Sequence, residues 1–452
     1  MEYGEEHTHE IRDAIHTFIQ FDSHERKIID SRPFQRLRHI NQLALTNLVY
    51  PGATHKRFEH SLGVMHLADR IFGVVTLPEH VGPEVREVLP ELSREDDLRY
   101  WRKVLRAAAL CHDLGHLPFS HAGEKEGLLP KGWNHENLTV EFIRSQEMRE
   151  IWEALTPPLR PDDIAKLAVG AKEGAKIIDS EFTDWQAILA DIIVGDAFGA
   201  DRMDYLLRDS HHIGVAYGKF DHYRLIDTLR ILRPPPTKSG GQSHEPTLGI
   251  EEGGLHSIEA LLLARYAMFS QVYFHRVRRI YDIHLRDFLK EWLCNGQFST
   301  AIEDLFKLTD VEVTQALRQA SLENGKLGAL ADRIIRRQHF KAIYERNPDD
   351  IKVNPDAALA IYTAASEEFG AENVRKDQDR KGGGDSDFPV LSRDGSIISS
   401  LTLSQILENI PEAAIDYVFV EPRYRDNATK WLEKNRRDII ESAKEEVSES
   451  TE

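Results

Sequence analysis

The chain has 452 residues, of which 41% are hydrophobic and 29% charged, and a formal net charge of −18. That size accommodates two or three domains, or one large helical body with an appendage. Two cysteines, Cys111 and Cys294, exclude a disulfide framework and a cysteine-based zinc site. No apolar run approaches the ~20 residues that span a bilayer, and Met1 to Glu10 lacks the basic-then-apolar order of a signal peptide, so a cytoplasmic protein is expected.

From Ile11 to about Arg233 apolar residues recur at three- and four-residue spacing, which predicts a predominantly helical body. Breaks are expected at Pro51-Gly52, Pro157-Pro158 and Gly170. Near its start lies Phe34-Gln35-Arg36-Leu37-Arg38, followed by Gln42 and Leu43. The stretch His55-Lys56-Arg57-Phe58-Glu59-His60-Ser61-Leu62-Gly63 places an arginine three residues before a histidine. On a helix the two share a side, so a guanidinium and an imidazole can face one cavity.

Trp101 to Leu110 is rich in alanine and leucine and predicts a buried helix. It ends in Cys111-His112-Asp113-Leu114-Gly115-His116-Leu117-Pro118-Phe119-Ser120-His121. Adjacent His112 and Asp113 offer a neutral imidazole and a hard carboxylate oxygen, a donor set that suits a divalent first-row metal. An isolated His-Asp pair is equally what a solvated helix end shows, so the remaining segments decide its meaning. Further on, Asp201, Tyr205 and Asp209 fall within roughly 80° of one another if Ala200 to Asp209 is helical. Two acids and a phenol in one stripe fit a site or a solvated face. Pro234 to Gly254 is rich in proline and glycine and reads as a loop or short hairpin.

Leu255 to about Leu293 is a long amphipathic stretch. Within it Arg265, Phe269 and Tyr273 recur at four-residue spacing, either as core or as a phosphate clamp beside a sugar-stacking ring. Helices are expected to continue to about Tyr344. A small α+β lobe follows. It comprises a helix at Pro355 to Phe369, short strands at Phe388 to Leu391 and Ser396 to Ile398 flanking an Arg393-Asp394-Gly395 turn, a strand at Tyr417 to Val420, and a final helix. Lys376 to Asp387 has the composition of a mobile loop, and Lys444 to Glu452 should fray. The expected organisation is a catalytic body over 1–344, the lobe over 345–440 and a flexible tail over 441–452.

The negative balance disfavours broad nucleic-acid binding, and an anionic substrate requires local basic pockets. Arg36 and Arg38, Lys56 and Arg57, His275 to Arg279, and Arg333 to Lys341 are the candidates.

Taken together, His60, then His112-Asp113, then Asp201 give the order H…HD…D. With the flanking segments, the region from about residue 10 to 290 resembles the HD-domain phosphohydrolase superfamily. The likeness is strongest to its deoxynucleoside triphosphate triphosphohydrolases, the vertebrate sterile-alpha-motif/HD enzymes and shorter bacterial relatives. The resemblance implies a mainly α fold, an HD-domain helical body with a small C-terminal α+β lobe. It also implies one divalent metal (Mn, Mg, Fe, Ni, Co or Zn) on His60, His112, Asp113 and Asp201, with additional Mg accompanying the nucleotide.

His116 then matches the catalytic histidine, His135 a second, and Glu124 the residue that orients His116, an aspartate in the vertebrate enzymes. Arg57, Arg202 and Arg265 match phosphate contacts. Gln42, Leu43, Tyr205, Asp209 and Tyr273 match residues around the deoxyribose. Asp30, Gln35 and Arg38 stand where the vertebrate enzymes read an activating nucleotide. The implied activity is hydrolysis of a dNTP to deoxynucleoside and inorganic triphosphate, by a homo-oligomer (tetramer or hexamer) activated by a dNTP or GTP. Phe274 and Ala44-Leu45-Thr46 depart from the family pattern beside the sugar and base. His121 receives no role beyond support. Two alternatives stay open: an HD enzyme for another nucleotide phosphoester, and a nucleotide-sensing or nucleic-acid-binding scaffold.

Overall fold

The computed structural model describes residues 8–120, 127–233, 245–382 and 387–449. Glu124 and His121 lie outside the described residues. The chain divides into two compact units, each discontinuous in sequence: 1–268, 297–313 and 384–410 form the first, and 269–296, 314–383 and 411–452 the second. Among the described residues no helix is long and apolar enough to cross a membrane.

The first unit is mainly helical, as expected. Its core is built by the helices Arg57–Val75, Glu95–Cys111, Pro161–Ile177, Asp184–Val194 and Ala200–Ile213, which pack on one another. Arg57–Val75 is apolar on nearly every side, with Leu62, Val64, Met65, Leu67, Ala68 and Ile71 at most 1% exposed, because it runs through the middle of this layer. In Pro161–Ile177 the regular helix breaks at Gly170, where φ is +79°, the position at which the sequence predicts a break.

Three expectations change. The body does not open helically, because His9–Asp13 and Thr17–Phe21 pair as an antiparallel hairpin, with Ile19 and Phe21 turned inward. Leu229–Leu232, the end of the expected helical stretch, is instead a strand, and it pairs antiparallel with Thr247–Glu251 inside the Pro- and Gly-rich segment, where a loop or short hairpin is expected. The third change concerns Pro389–Leu391 and Ile397–Ser399. They pair about a turn with Gly395 at φ +85°, as predicted, but they join this same four-stranded sheet through a parallel Ile250–Val390 pairing.

In the second unit Lys341–Glu345 and Val374–Lys381 flank Ala413–Val420 in an antiparallel three-stranded sheet. Two segments read otherwise from sequence are strands here: the end of the expected helical region at Lys341–Glu345, and the first part of the expected loop at Lys376 to Asp387. Val374–Lys381 carries charge where a strand usually carries apolar side chains. Its inward Asp377 is buried against the Arg279 guanidinium at 2.6 and 2.8 Å, so an ion pair takes the place of a hydrophobic contact. The helix Ala357–Phe369 packs Ile361 and Ala365 against Val374 and Val418. The last helix, Arg425–Glu449, continues well beyond the expected start of the frayed end.

Ile361 is fully buried in this core. Ile361→Ala should destabilise the second unit by about 2–5 kcal/mol, the usual cost of such a cavity, as read by chemical denaturation with a probe in that unit.

Candidate functional site

The site assembles where three helices of the first unit converge. His60 lies in the first turn of Arg57–Val75, His112 caps the end of Glu95–Cys111, and Asp201 lies in the first turn of Ala200–Ile213. One donor atom from each of His60, His112 and Asp201 falls within 4.8 Å of the others. His60 Nε2 is 3.0 Å from Asp201 Oδ1. His112 Nε2 stands 3.7 Å from the same oxygen and 3.3 Å from Asp113 Oδ1.

The tautomers explain what this arrangement invites. His60 Nδ1 donates to Asp204 Oδ2 at 2.8 Å, and His112 Nδ1 to the Ala109 carbonyl at 2.8 Å. In its neutral form each ring would therefore turn a lone pair on Nε2 toward carboxylate oxygens. His112 Nε2 is buried and has no hydrogen-bond partner among the described residues. Lone pairs facing carboxylates repel unless a cation lies between them, so the donor set fits a divalent metal. The same field acts on protons. Burial opposes a charge on His60, yet Asp201, Asp204 and Asp113 outweigh it and raise its pKa to about 10.

Asp113 sits beside this trio. Burial would raise its pKa, but Arg57, His112 and His116 hold it well below the usual carboxylate range. Arg57 is buried and fully directed inward, donating from Nη1 to Asp113 Oδ2 at 2.5 Å and from Nε to Ser120 Oγ at 2.8 Å. Its described contacts position the acid rather than face open space. His116 Nε2 is 3.2 Å from Asp113 Oδ1, and the His116 ring stacks on His135 at 4.2 Å and 16°. Gly115 permits this stack: a Cβ there would lie 2.1 Å from the His135 carbonyl oxygen.

Along Ala200–Ile213, Asp201, Tyr205 and Asp209 share a face as predicted. Asp209 Oδ1 is 2.7 Å from His55 Nε2. Tyr205 and Arg265 are hydrogen-bonded, and Arg202 is close enough to depress Arg265 further after the larger effect of burial. Arg202 itself is held by Asp196, through the carboxylate and the backbone carbonyl. Gln42 has its amide oxygen buried without a hydrogen bond among the described residues, beside buried Leu43. Tyr273 belongs to the second unit, in the π-helical turn Phe269–Tyr273, edge-on to Phe269 at 4.9 Å. Of the expected activator set, Gln35 donates to the Ile29 carbonyl at 2.7 Å and accepts from Arg38 at 2.9 Å, whereas Asp30 pairs with Arg26.

Several residues that build the site carry no local signal in the sequence. Asp204 is fully buried and accepts from His60, from His16 Nε2 at 2.7 Å and from Arg208 at 2.8 and 3.0 Å. Arg208 also reaches Asp13, whose Oδ1 accepts the Ile15 and His16 backbone N–H groups in the turn of the first hairpin. Gly63 leaves room for this network, since a Cβ would lie 1.9 Å from Asp204 Oδ1. Buried Arg36 donates to the carbonyls of Leu114, His116 and Leu305, and burial lowers its pKa to about 10. Asp310 accepts the backbone N–H groups of Asn41 and Phe119 at 2.8 and 2.7 Å, and burial pushes its pKa up to about 6. Phe119 and Ser120 have φ of +60° and +55°, a strained pair that these contacts hold in place.

His16→Leu removes one donor from buried Asp204 and should cost about 1–3 kcal/mol in chemical denaturation, while His16→Gln, whose amide reaches about as far as Nε2, should recover most of it. Asp191 yields a pH prediction. Burial first, then neighbouring Asp196, raise its pKa to about 6. The folded state therefore holds this proton more tightly than the unfolded one, and stability falls as pH rises from about 4 to about 6. Asp191→Asn should flatten that slope, raising stability above pH 6 and leaving it unchanged below pH 4.

Comparison with known proteins agrees with this geometry. Residues 57–208 match the family model described as HD domain, and residues 220–376 the model described as HD associated region. The chain is 36% identical to an uncharacterized protein of Methanocaldococcus jannaschii over 80% of this chain and 67% of the relative. It is 32% identical to the uncharacterized protein YwfO of Bacillus subtilis, over 75% and 72%. It is 31% identical to the deoxynucleoside triphosphate triphosphohydrolase SAMHD1 of Gallus gallus, over 76% of this chain but 57% of that longer protein. A solved structure, a hypothetical protein from Aquifex aeolicus, superposes with a TM-score of 0.74 at 31% identity, covering 94% of this chain and all of that one.

Proposed function

The chain belongs to the HD-domain family, and from that premise we propose that it is a metal-dependent phosphohydrolase that cleaves deoxynucleoside triphosphates to deoxynucleoside and inorganic triphosphate. The observation that carries the reading is the meeting of two kinds of chemistry on one helix. Asp201 joins the imidazole pair, and one and two turns further along, Tyr205 and Asp209 face the same way, with Arg202 and Arg265 beside Tyr205. The name of the Gallus gallus relative supports the same substrate class.

His60, His112 and Asp201 would hold the metal, with Asp113 as fourth ligand. When bound, such an ion polarises a phosphoryl oxygen and lowers the pKa of water. The protein supplies the rest. Arg202 and Arg265 offset triphosphate charge within a chain of negative balance, and Arg57 keeps Asp113 ionised and oriented. Tyr205 and Asp209 hold the sugar, Asp209 being fixed in turn by His55. Cleavage at the α-phosphorus expels the 5′-oxygen, which needs a proton. His116 donates it, its ring set by the stack on His135 and by Asp113. A dinuclear cyclic-dinucleotide enzyme is disfavoured by His212, which stacks on His55 at 4.5 Å and takes no part in the His60, His112 and Asp201 group.

The test is incubation of the full chain with each dNTP, singly and in pairs, with Mn²⁺ or Mg²⁺, and chromatographic separation of products. Triphosphate and deoxynucleoside are expected. Turnover seen only in mixtures would expose an activator site, for which Asp30, Gln35 and Arg38 are the candidates, within the homo-oligomer that this reading includes. Asp113→Ala should lower turnover at least ~100-fold. Full activity in that variant would remove Asp113 from the metal site. Metal affinity, followed by calorimetry, should fall by about 10–100-fold in His16→Leu and recover in His16→Gln, because Asp204 orients His60.

A further inference from the structure

Within the second unit, three arginines converge on one carboxylate. Asp287 accepts from Arg375 at 3.1 Å through both Nε and Nη2, and lies 3.5 Å from Arg286 Nη2 and 3.8 Å from Arg333 Nη1. Three other guanidiniums of this unit have carboxylates of their own: Arg279 has Asp377 and Asp379, Arg346 has Asp416, and Arg436 has Asp350. Glu421 also faces Arg333, but it is paired with Arg423 at 2.9 Å, so the local excess stays positive. Lys341 and His339, 3.1 Å apart, add no negative charge.

The ring of Phe340 organises the cluster. Arg333 and Arg375 lie over it at 4.6 and 5.5 Å, and His284 meets it edge-on at 4.9 Å. The Phe340 backbone N–H donates to His284 Nε2 at 3.1 Å, which fixes the ring proton on Nδ1. His284 is fully buried, and burial together with the surrounding guanidiniums keeps it neutral. Its Nδ1–H, Arg286 Nε and Arg333 Nη1 are buried donors with no hydrogen-bond partner among the described residues. Each such donor costs about 1–3 kcal/mol, and like charges held together add to that cost.

We propose that Arg286, Arg333 and His284, braced by Arg375 on Asp287, form a binding site for a phosphate-class oxyanion, separate in its residues from the metal-centred site of the first unit. A tetrahedral anion offers several acceptors and neutralises the surplus charge, and Arg is the residue suited to it. Solvent reaches the cluster, since the side chains of Arg286, Arg333 and Arg375 are 27%, 21% and 24% exposed. The anion is either free phosphate or triphosphate, or the phosphate tail of a nucleotide.

The experiment uses the full chain with inorganic phosphate, read by calorimetry and thermal unfolding, in the parent, Arg333→Gln, Arg286→Gln and the exposed control Arg318→Gln. The site variants should weaken one phosphate-binding event at least about tenfold, and the control should not. Without phosphate, Arg333→Gln should be as stable as the parent or more so, because it relieves repulsion, while losing the phosphate-dependent gain. Loss of phosphate-free stability, as a structural ion pair requires, would overturn the proposal. So would unchanged phosphate binding in both site variants, or no binding in the parent. Repeating the titration with tripolyphosphate and dATP identifies the source: tighter dATP binding that depends on Arg333 assigns a nucleotide, and equal or weaker binding assigns the free anion.

Discussion

The first unit is organised around one buried carboxylate, Asp204. Taking a carboxylate out of water costs several kcal/mol, and it is tolerated only when every oxygen lone pair finds a donor. Here the donors come from three places far apart in the chain. His60 and Arg208 arrive from two helices and His16 from the turn of the first hairpin. Removing its charged partner Arg208 would cost more than losing a neutral donor, typically about 3–5 kcal/mol, because the carboxylate would be left buried without a counter-charge. The hairpin is therefore tied to the helical core by an ion network as well as by Ile19 and Phe21. The same constraint sets the chemistry. By occupying His60 Nδ1, Asp204 leaves only Nε2 to face Asp201 and His112. A stability requirement and a ligand orientation are thus met by the same hydrogen bond.

The parts of the site that could be seen in the sequence are those whose chemistry is local. His112 and Asp113 are adjacent, and Asp201, Tyr205 and Asp209 declare themselves by helical spacing. Those that could not be seen act through tertiary contact. Asp204 stands three residues after Asp201 and is indistinguishable in sequence from an acid on a solvated face. Asp310 reaches Asn41 and Phe119 from nearly two hundred residues beyond them or more, and only the fold brings it there. Arg36 reads as part of a basic patch, but its fully buried guanidinium clamps backbone carbonyls on both sides of Gly115. The fold shows the same division. Hairpin signals such as Arg393-Asp394-Gly395 were legible because turn chemistry is local. The strand Val374–Lys381 was not, since its inward position is the charged Asp377 and only its distant partner Arg279 makes burial affordable.

One strained turn lies where the chemistry is proposed. Phe119 and Ser120 both adopt left-handed φ, which costs non-glycine residues of order 1–3 kcal/mol each. Asp310 holds the first by its N–H, and Arg57 and the Asn41 carbonyl hold the second by its hydroxyl. Because Arg57 also grips Asp113, the strained turn is coupled to a proposed ligand through a single guanidinium. A change at Asp310 would accordingly be transmitted to Asp113 without touching it, by release of the turn that supports Arg57.

Partner count sorts the arginines by role in a chain whose formal charge is −18. Arg57, Arg208 and Arg279 are buried with carboxylates at hydrogen-bond distance, and each fixes an acid in place. Such pairs are electrically closed and offer nothing to a passing anion. Two groups differ, because several cations there share one acid: Arg202 and Arg265, beside Tyr205, share Asp196, and Arg286, Arg333 and Arg375 share Asp287. Holding cations near one another is unfavourable in a folded protein, and only interaction with an anion returns that energy. Global charge therefore repels polyanions while these two local excesses select for them. That combination favours small, highly charged ligands that can enter a cleft over extended nucleic acids that must lie across the surface.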